Sequence, residues 1–294
     1  MALPATLHDP LADVLRGLGD PTAVRSARPV GGGCINNTMR VETSRGVYLL
    51  KWNADPLPGM FACEALGLEL LAQTQTVRVP AVYHHAEVEE GRPAFILLEW
   101  LEGTRGDMAL LGEQLAELHR QGTAPAYGLD HDNYIGSTPQ INGWAADWVE
   151  FFAARRLLPQ MDLAARTGNL TASRRAMLER LIARLPGLLG GVSRKPALIH
   201  GDLWGGNVIP GPGGPAMIDP AVSYSDREAE ISFTELFGGF SAGFYAAYNT
   251  AWPLDPGYPE RRDLYNLYHL LNHLNLFGEG YARQVDSVLR RYAG

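Results

Sequence analysis

The stretch Ile199-His200-Gly201-Asp202-Leu203-Trp204-Gly205-Gly206-Asn207-Val208, read with Met217-Ile218-Asp219 just beyond it, constrains this chain most. Asp202 follows a short apolar run, Ala197-Leu198-Ile199, which reads as a strand ending at a site. Asn207 stands five residues later, and Asp219 closes a second apolar run, Ala216-Met217-Ile218. A carboxylate can accept a proton. A second carboxylate and an amide oxygen are the hard ligands that suit magnesium on a nucleotide. Together they are the parts that phosphoryl transfer needs. A lone Asp-x4-Asn pair is weak, because a capping Asp and a turn Asn would supply it. All three together, with Asp202 and Asp219 each beyond an apolar run, imply a site mounted on strand ends.

The 294 residues are enough for one large domain or two lobes with a good core. Hydrophobic residues make up 46% and charged ones 19%, an ordinary balance for a soluble enzyme. The net charge of -7 argues against a nucleic-acid or membrane-surface partner, since no basic excess draws phosphates. No stretch is long and apolar enough to span a bilayer. The N-terminal region carries Asp9 and Asp13 and no basic apolar leader, and Cys34 and Cys63 make no disulfide framework. A cytoplasmic location is expected on both counts.

Residues 7–20 read as a short helix, with Leu11, Val14, Leu15 and Leu18 on one face. Gly31-Gly32-Gly33-Cys34 then forms a glycine-rich turn between two strands. Glycines let a backbone approach phosphates and aim N–H groups at them, although hairpins use the same residues. On the next strand Lys51 alternates with Val47 and Leu49 and shares their face. A helix over residues 59–73 places Glu64 among Phe61, Ala65, Leu68 and Leu71. A carboxylate on an apolar stripe is costly unless paired, and Lys51 is the economical partner. Kinases hold ATP phosphates with such a strand lysine and helix glutamate.

Two more strands follow, over residues 81–87 and 93–100. The composition turns polar at Glu102-Gly103, which divides the chain into residues 1–102 and 103–294. Backbone groups of Glu99, Trp100 and Leu101 would there face an adenine. A helix over residues 107–120 ends near His119, which is expected to satisfy terminal carbonyls. Residues 122–142 have loop character, and their polar and aromatic content suits a sugar-binding wall. Helices are expected over residues 143–159 and 171–188. Ser225 and Glu228 form a capping-box pattern before Ile231 and Phe233. His269 and His273 are four apart on a later helix with no third metal ligand evident, so groove-lining or core histidines are preferred to a zinc site.

These residues resemble the fructosamine kinase family, the ketosamine-3-kinases, over nearly the whole chain. The likeness includes Gly31-Gly32-Gly33-Cys34-Ile35, Leu50-Lys51-Trp52-Asn53, Glu64-Ala65-x-Gly67-Leu68 and Asp132-Asn133-Tyr134-Ile135-Gly136. It continues in His200-Gly201-Asp202-Leu203-Trp204-x-Gly206-Asn207, Asp219-Pro220-Ala221 and Asp226-Arg227-Glu228. Ser223 stands where the family suggests a tyrosine, Ser225 where it suggests a glycine, and Asn36-Asn37 where it suggests Ser-Glu. The resemblance implies an α+β, protein-kinase-like two-lobed fold. A small antiparallel sheet lobe with one main helix would precede a larger, mainly helical lobe. It implies ATP and Mg2+ as cofactors and phosphorylation of the C3 hydroxyl of ketoamines, free or protein-bound, leading to deglycation. In that reading Lys51, oriented by Glu64, holds the α/β-phosphates and the glycine-rich loop covers the γ-phosphate. Asn207 and Asp219 bind magnesium, and Asp202 orients or deprotonates the sugar hydroxyl. Trp204 offers a flat face to the sugar, with Asp132, Asn133, His269 and His273 as further substrate residues. Cys34, near Lys51 and the phosphates, is expected to be a reactive thiol that could link two chains as a redox dimer, or else a small turn residue; otherwise the chain is a monomer. Two rivals remain: another kinase of this fold acting on an aminoglycoside, choline or homoserine, and a nucleotide-binding pseudokinase scaffold.

Overall fold

The structure is a computed structural model that describes residues 3–31, 35–89, 91–191, 194–211 and 214–294. The chain divides into two compact units, residues 1–107 with 206–220, and residues 108–205 with 221–294.

The first unit begins with α1 (His8–Gly17), β1 (Ser26–Pro29), β2 (Asn37–Glu42) and β3 (Val47–Asn53). It continues through α2 (Met60–Gln73), β4 (Val82–Ala86) and β5 (Ala94–Glu99). The strands form one antiparallel sheet in the order β1-β2-β3-β5-β4. Both faces are covered, which is why β5 reads as an unbroken apolar run. Leu50, Trp52, Phe95 and Leu97 pack with Leu7, Leu11 and Leu15 on the α1 side. Leu49, Ala94, Ile96 and Leu98 pack with Phe61, Ala65 and Leu68 on the α2 side. Side chains alternate along a strand, so Lys51 follows Leu49 onto the α2 face.

The second unit opens with α3 (Met108–Gln121) and the short hairpin β6 (Asn133–Ile135) and β7 (Thr138–Gln140). Then come α4 (Trp148–Phe151), a π-helical segment Phe152–Leu157, α5 (Leu158–Thr167) and α6 (Ala172–Leu189). The helix expected to stop at Pro159 instead runs on to Thr167. Pro159 lacks an N–H, and the π turn just before it is where the hydrogen-bond ladder adjusts. Strand β8 (Ala197–Ile199) leads to the Asp202 loop.

Residues 206–220 belong to the first unit and contain the small hairpin β9 (Val208–Ile209) and β10 (Ala216–Met217). Met217 N–H donates to Arg78 O at 2.9 Å, which ties this hairpin to the end of the α2–β4 connection. The second unit then resumes with β11 (Ser223–Ser225), paired antiparallel to β8. Helices α7 (Arg227–Leu236), α8 (Ala242–Ala251), α9 (Tyr258–Phe277) and α10 (Ala282–Ala293) complete it. Its core joins Trp148, Phe151 and Phe152 with the apolar faces of α6, α9 and α10. The cap of α7 is Asp226, not Ser225: the Asp226 carboxylate accepts from Glu228 N–H at 3.0 Å. Ser225 is held in β11 and shares a hydrogen bond with Ser223 at 2.9 Å.

Asp20 fastens the chain after α1 to the β2–β3 hairpin. Its carboxylate accepts from Thr43 Oγ1 at 2.5 Å, from Tyr48 Oη at 3.1 Å and from the Thr22 hydroxyl. Burial pushes its carboxyl up, but the hydrogen bonds from Thr22, Thr43 and Tyr48 outweigh it and hold the pKa at about 2, below 3.8. A depressed carboxyl pKa gives stability that is present above the unfolded value and lost as pH falls through the folded one. Asp20→Asn should therefore cost about 2 kcal/mol at pH 7, the scale of hydrogen bonds to a charged group. Urea denaturation should show the gap to wild type closing as pH falls from about 4 to 2. A gap that stays constant would remove Asp20 from this role.

Candidate active site

Lys51 is the buried charge around which the first unit places its polar residues. The strand register sets it opposite Thr38 on β2 and Ile96 on β5. It is 7% exposed. Its Nζ meets Glu64 Oε1 at 2.7 Å and also the Asp219 carboxylate. Burial pulls the ammonium pKa down, but Glu64 and then Asp219 outweigh it, so the pKa lies above the ordinary lysine value. Lys51 is therefore a fixed cation, held by an acidic residue on each of two elements.

Asn207 and Asp219 lie at the open end of the β9–β10 hairpin. Ile218 N–H donates to Asn207 O at 3.0 Å, which sets the two residues side by side in the backbone. Asp219 has φ +56°. A non-glycine residue in the left-handed region is strained, and such outliers gather at functional positions. Its side chain is 45% exposed, so one carboxylate serves Lys51 and also reaches solvent. Asn207 is buried. A carboxylate and an amide oxygen on adjoining backbone can offer two hard ligands to a cation that brings its remaining ligands with it. Among the described residues no group of three or more His, Cys, Asp or Glu could hold a metal alone.

Asp202 belongs to the second unit, on the loop after β8. A residue that the sequence reading missed, Glu230 on α7, fixes this loop. Glu230 is 2% exposed. Its Oε1 accepts from Gly201 N–H at 2.8 Å and its Oε2 from His200 N–H at 3.0 Å. His119 Nε2 lies 3.0 Å from Oε2, and its Nδ1 lies 2.9 Å from Tyr248 Oη. Arg227 donates to the same hydroxyl at 3.0 Å, so Tyr248 joins α3, α7 and α8. Burial raises the Glu230 carboxyl, but His119, His200 and the Gly201 amide outweigh it, leaving the pKa below its ordinary value. His119 thus links α3 to α7; it does not cap α3. Gly201 has φ +83°, and a Cβ there would strike Ala221 O, so only glycine suits the bend before Asp202. The signal for Glu230 was available: it is a carboxylate beside Ile231 and Phe233, like Glu64 on its own stripe.

The remaining expected residues divide sharply. Gly31 is an exposed bend, and Gly32, Gly33 and Cys34 lie outside the described residues, as does the expected redox link. Glu99 donates its N–H to Ala81 O at 2.8 Å, while Trp100 and Leu101 lie beyond the strand. Trp204 is 42% exposed. Asp132 accepts from Asn142 N–H at 2.7 Å. Asn133 is buried: its amide donates to Val222 O, and its oxygen accepts from Gln140 and Asn142. That amide joins the 130–142 segment to Val222. His269 is buried and stacked on Phe233 at 3.6 Å between centroids, and His273 Nδ1 lies 2.8 Å from His269 O. Burial pulls both imidazoles below the ordinary histidine pKa, so both are neutral at pH 7.

The first unit holds a fixed lysine between two carboxylates with an Asn–Asp pair on one hairpin, and the second holds an aspartate on a clamped loop; each is a part that phosphoryl transfer uses. Comparison with known proteins narrows the class. The fructosamine kinase family model matches residues 10–293, and the chain belongs to that family. It is 42% identical over 278 residues to a Synechocystis protein named "Probable ketoamine kinase", covering 93% of this chain and 92% of that one. It is 39% identical over 297 residues to "Protein-ribulosamine 3-kinase, chloroplastic" of Arabidopsis thaliana, covering 99% and 90%. A Thermobifida fusca crystal structure described as a "putative fructosamine-3-kinase" superposes with TM-score 0.85 at 32% identity over 96% of this chain and 97% of that one. An aminoglycoside phosphotransferase in a ternary complex with ADP and hygromycin B matches at TM-score 0.65 and 16% identity over 99% of this chain and 100% of that one, which shows a shared kinase-like fold. No helix among the described residues is long and apolar enough to cross a membrane.

Glu230→Gln should loosen the Asp202 loop, because an amide presents one acceptor oxygen where the carboxylate presents two. Leaving a buried N–H without its partner costs about 1–3 kcal/mol. Hydrogen exchange of a peptide spanning residues 197–203 should accelerate at His200 and Gly201 by about tenfold or more. Unchanged protection there would refute the clamp.

Proposed function

We propose that this chain transfers the γ-phosphoryl group of ATP to the sugar C3 hydroxyl of ketoamines, of the fructosamine or ribulosamine type. The observation that carries the reading is the buried Lys51 paired with Glu64 and Asp219, in a chain that its family model spans nearly from end to end. An ammonium has three donors. Glu64 and Asp219 take two, and among the described residues the third remains for a phosphate oxygen. Asn207 and Asp219 would hold the magnesium ion of the nucleotide, which supplies charge neutralisation to the transferring group. The exposure and left-handed backbone of Asp219 fit that duty, as does its adjacency to Asn207.

Asp202 receives the proton of the attacking hydroxyl or aligns it, and the Glu230 clamp sets the backbone from which it projects. Trp204 presents an exposed indole, the kind of face on which sugar C–H groups pack. The C3 phosphate formed would then decompose and free the amine, a repair of glycated amines.

ADP release with a ribulosamine, a fructosamine and an aminoglycoside side by side tests the substrate class. Turnover of the aminoglycoside alone would replace this reading with the aminoglycoside kinase rival. Asp202→Asn should keep fold and nucleotide binding and lose roughly 10²–10⁴ in turnover, the worth of a positioned general base. Full activity in a folded variant would end that assignment. Asp219→Ala should weaken MgATP binding more than Asp202→Asn does, because a metal ligand and a Lys51 partner go together. Equal affinities by calorimetry would sink the metal assignment.

A further inference from the structure

A file of aromatic rings leads away from the Asp202 loop along α9. His269, His273 and Phe277 recur every fourth residue and so form one row on the helix surface, about 12 Å long at 1.5 Å per residue. Phe237, at the end of α7, meets His273 at 4.7 Å between ring centroids. His273 meets Phe277 at 5.5 Å and Tyr281 at 5.0 Å. The near end of this row is tied to the Asp202 loop in two ways. Gly239, two residues after Phe237, lies so close to Gly205 that a Cβ on it would come within 2.8 Å of Gly205 Cα. Tyr268, next to His269, is buried, and the charge of Asp202 adds to the burial that raises its hydroxyl to about 12.

The far end, at Phe277, is open: Phe277 is 62% exposed, and Phe237 on the flank of the row is 38% exposed. Among the described residues the charges beside the shelf are paired. His273 is neutral, Glu235 is taken by Tyr258 and Arg262, and Glu279 by Arg174. Adjoining exposed rings beside a site are what a ligand-binding surface presents.

We propose that this row is the subsite for the amine-borne half of the ketoamine substrate and that it selects apolar substituents, with the methylene stem of a glycated lysine side chain as its fitting occupant. The proposal rests on the ketoamine kinase reading above. A sugar whose hydroxyl meets Asp202 must send the substituent on its nitrogen away from the loop, and the row runs that way. Methylenes cover apolar ring surface, and the protonated secondary amine is drawn to ring faces. A small or strongly acidic substituent gains neither contact.

The test compares 1-deoxy-1-benzylamino-fructose with 1-deoxy-1-methylamino-fructose, reading affinity by calorimetry and turnover by ADP release. Wild type should bind the benzyl compound roughly tenfold more tightly, the scale of one added aromatic contact. Phe277→Ser and Phe237→Ser should each bring that ratio to within about twofold. The ratio is taken within each variant, so a general loss of folded protein cancels. Equal affinities in wild type, a ratio unchanged in both variants, or no binding of either compound overturns the subsite. Turnover reads the other question. Selective binding without phosphorylation upholds the subsite and defeats the kinase reading, whereas phosphorylation of both compounds without preference does the reverse.

Discussion

A lysine buried on the α2 face of a five-stranded sheet is the constraint on which the first unit depends. Lys51 is desolvated on arrival, because the strand that carries it is central and covered on both sides. An ammonium in that position is tolerable only with close opposite charge, and removing one partner of a buried pair costs about 3–5 kcal/mol. That condition sets Glu64 on α2 and draws in Asp219 from residues distant in sequence. A hydrophobic residue would hold the sheet to the helix at least as well, so the pair is poor evidence of stability and good evidence of use.

Much of the first unit was legible because period and cost pointed the same way. Period-2 alternation put Lys51 with Leu49, a period of 3.6 put Glu64 with Phe61 and Leu68, and the expense of a lone buried charge joined them. Asp202 and Asp219 were legible for a similar reason, since each follows an apolar run too short for anything but a strand, and Asn207 stands five residues after Asp202, directly before β9. A linear division at Glu102 could not express that residues 206–220 return to the first unit, because no composition shift marks a hairpin that crosses back.

What stayed hidden was mostly polar chemistry buried in the second unit. Asn133 is expected as a sugar residue because its neighbours are polar, and the sequence could not show that it is buried, with its nitrogen donating to Val222 O and its oxygen accepting from Gln140 and Asn142. Asp226 took the cap from Ser225 because β11 extends through Ser225 to pair with β8. The two serines that depart from the family pattern are themselves a local solution. Arg156 is buried with Asn142 Oδ1 and Ser223 Oγ as acceptors, and Ser225 Oγ lies 2.9 Å from Ser223 Oγ. Ser223 thus supplies one of the acceptors that a buried guanidinium needs, and Ser225 reaches it only through Ser223.

Each unit holds a left-handed residue at or beside a candidate site residue. Asp219 is held at φ +56° while its neighbour Ile218 bonds to Asn207, and Gly201 is held at φ +83° while its N–H bonds to Glu230. In each unit a left-handed residue is thus over-determined by a hydrogen bond at or beside it, which is how a strained backbone persists. The two cases differ in one respect. Gly201 has no side chain to aim, so its conformation serves the residue after it, Asp202. Asp219 bears its own carboxylate, and the cost of the left-handed region falls on the functional residue itself. A glycine would relieve that cost and lose the ligand; a residue content in ordinary backbone would keep the ligand and turn it away from Lys51. The strained aspartate is the arrangement that keeps both.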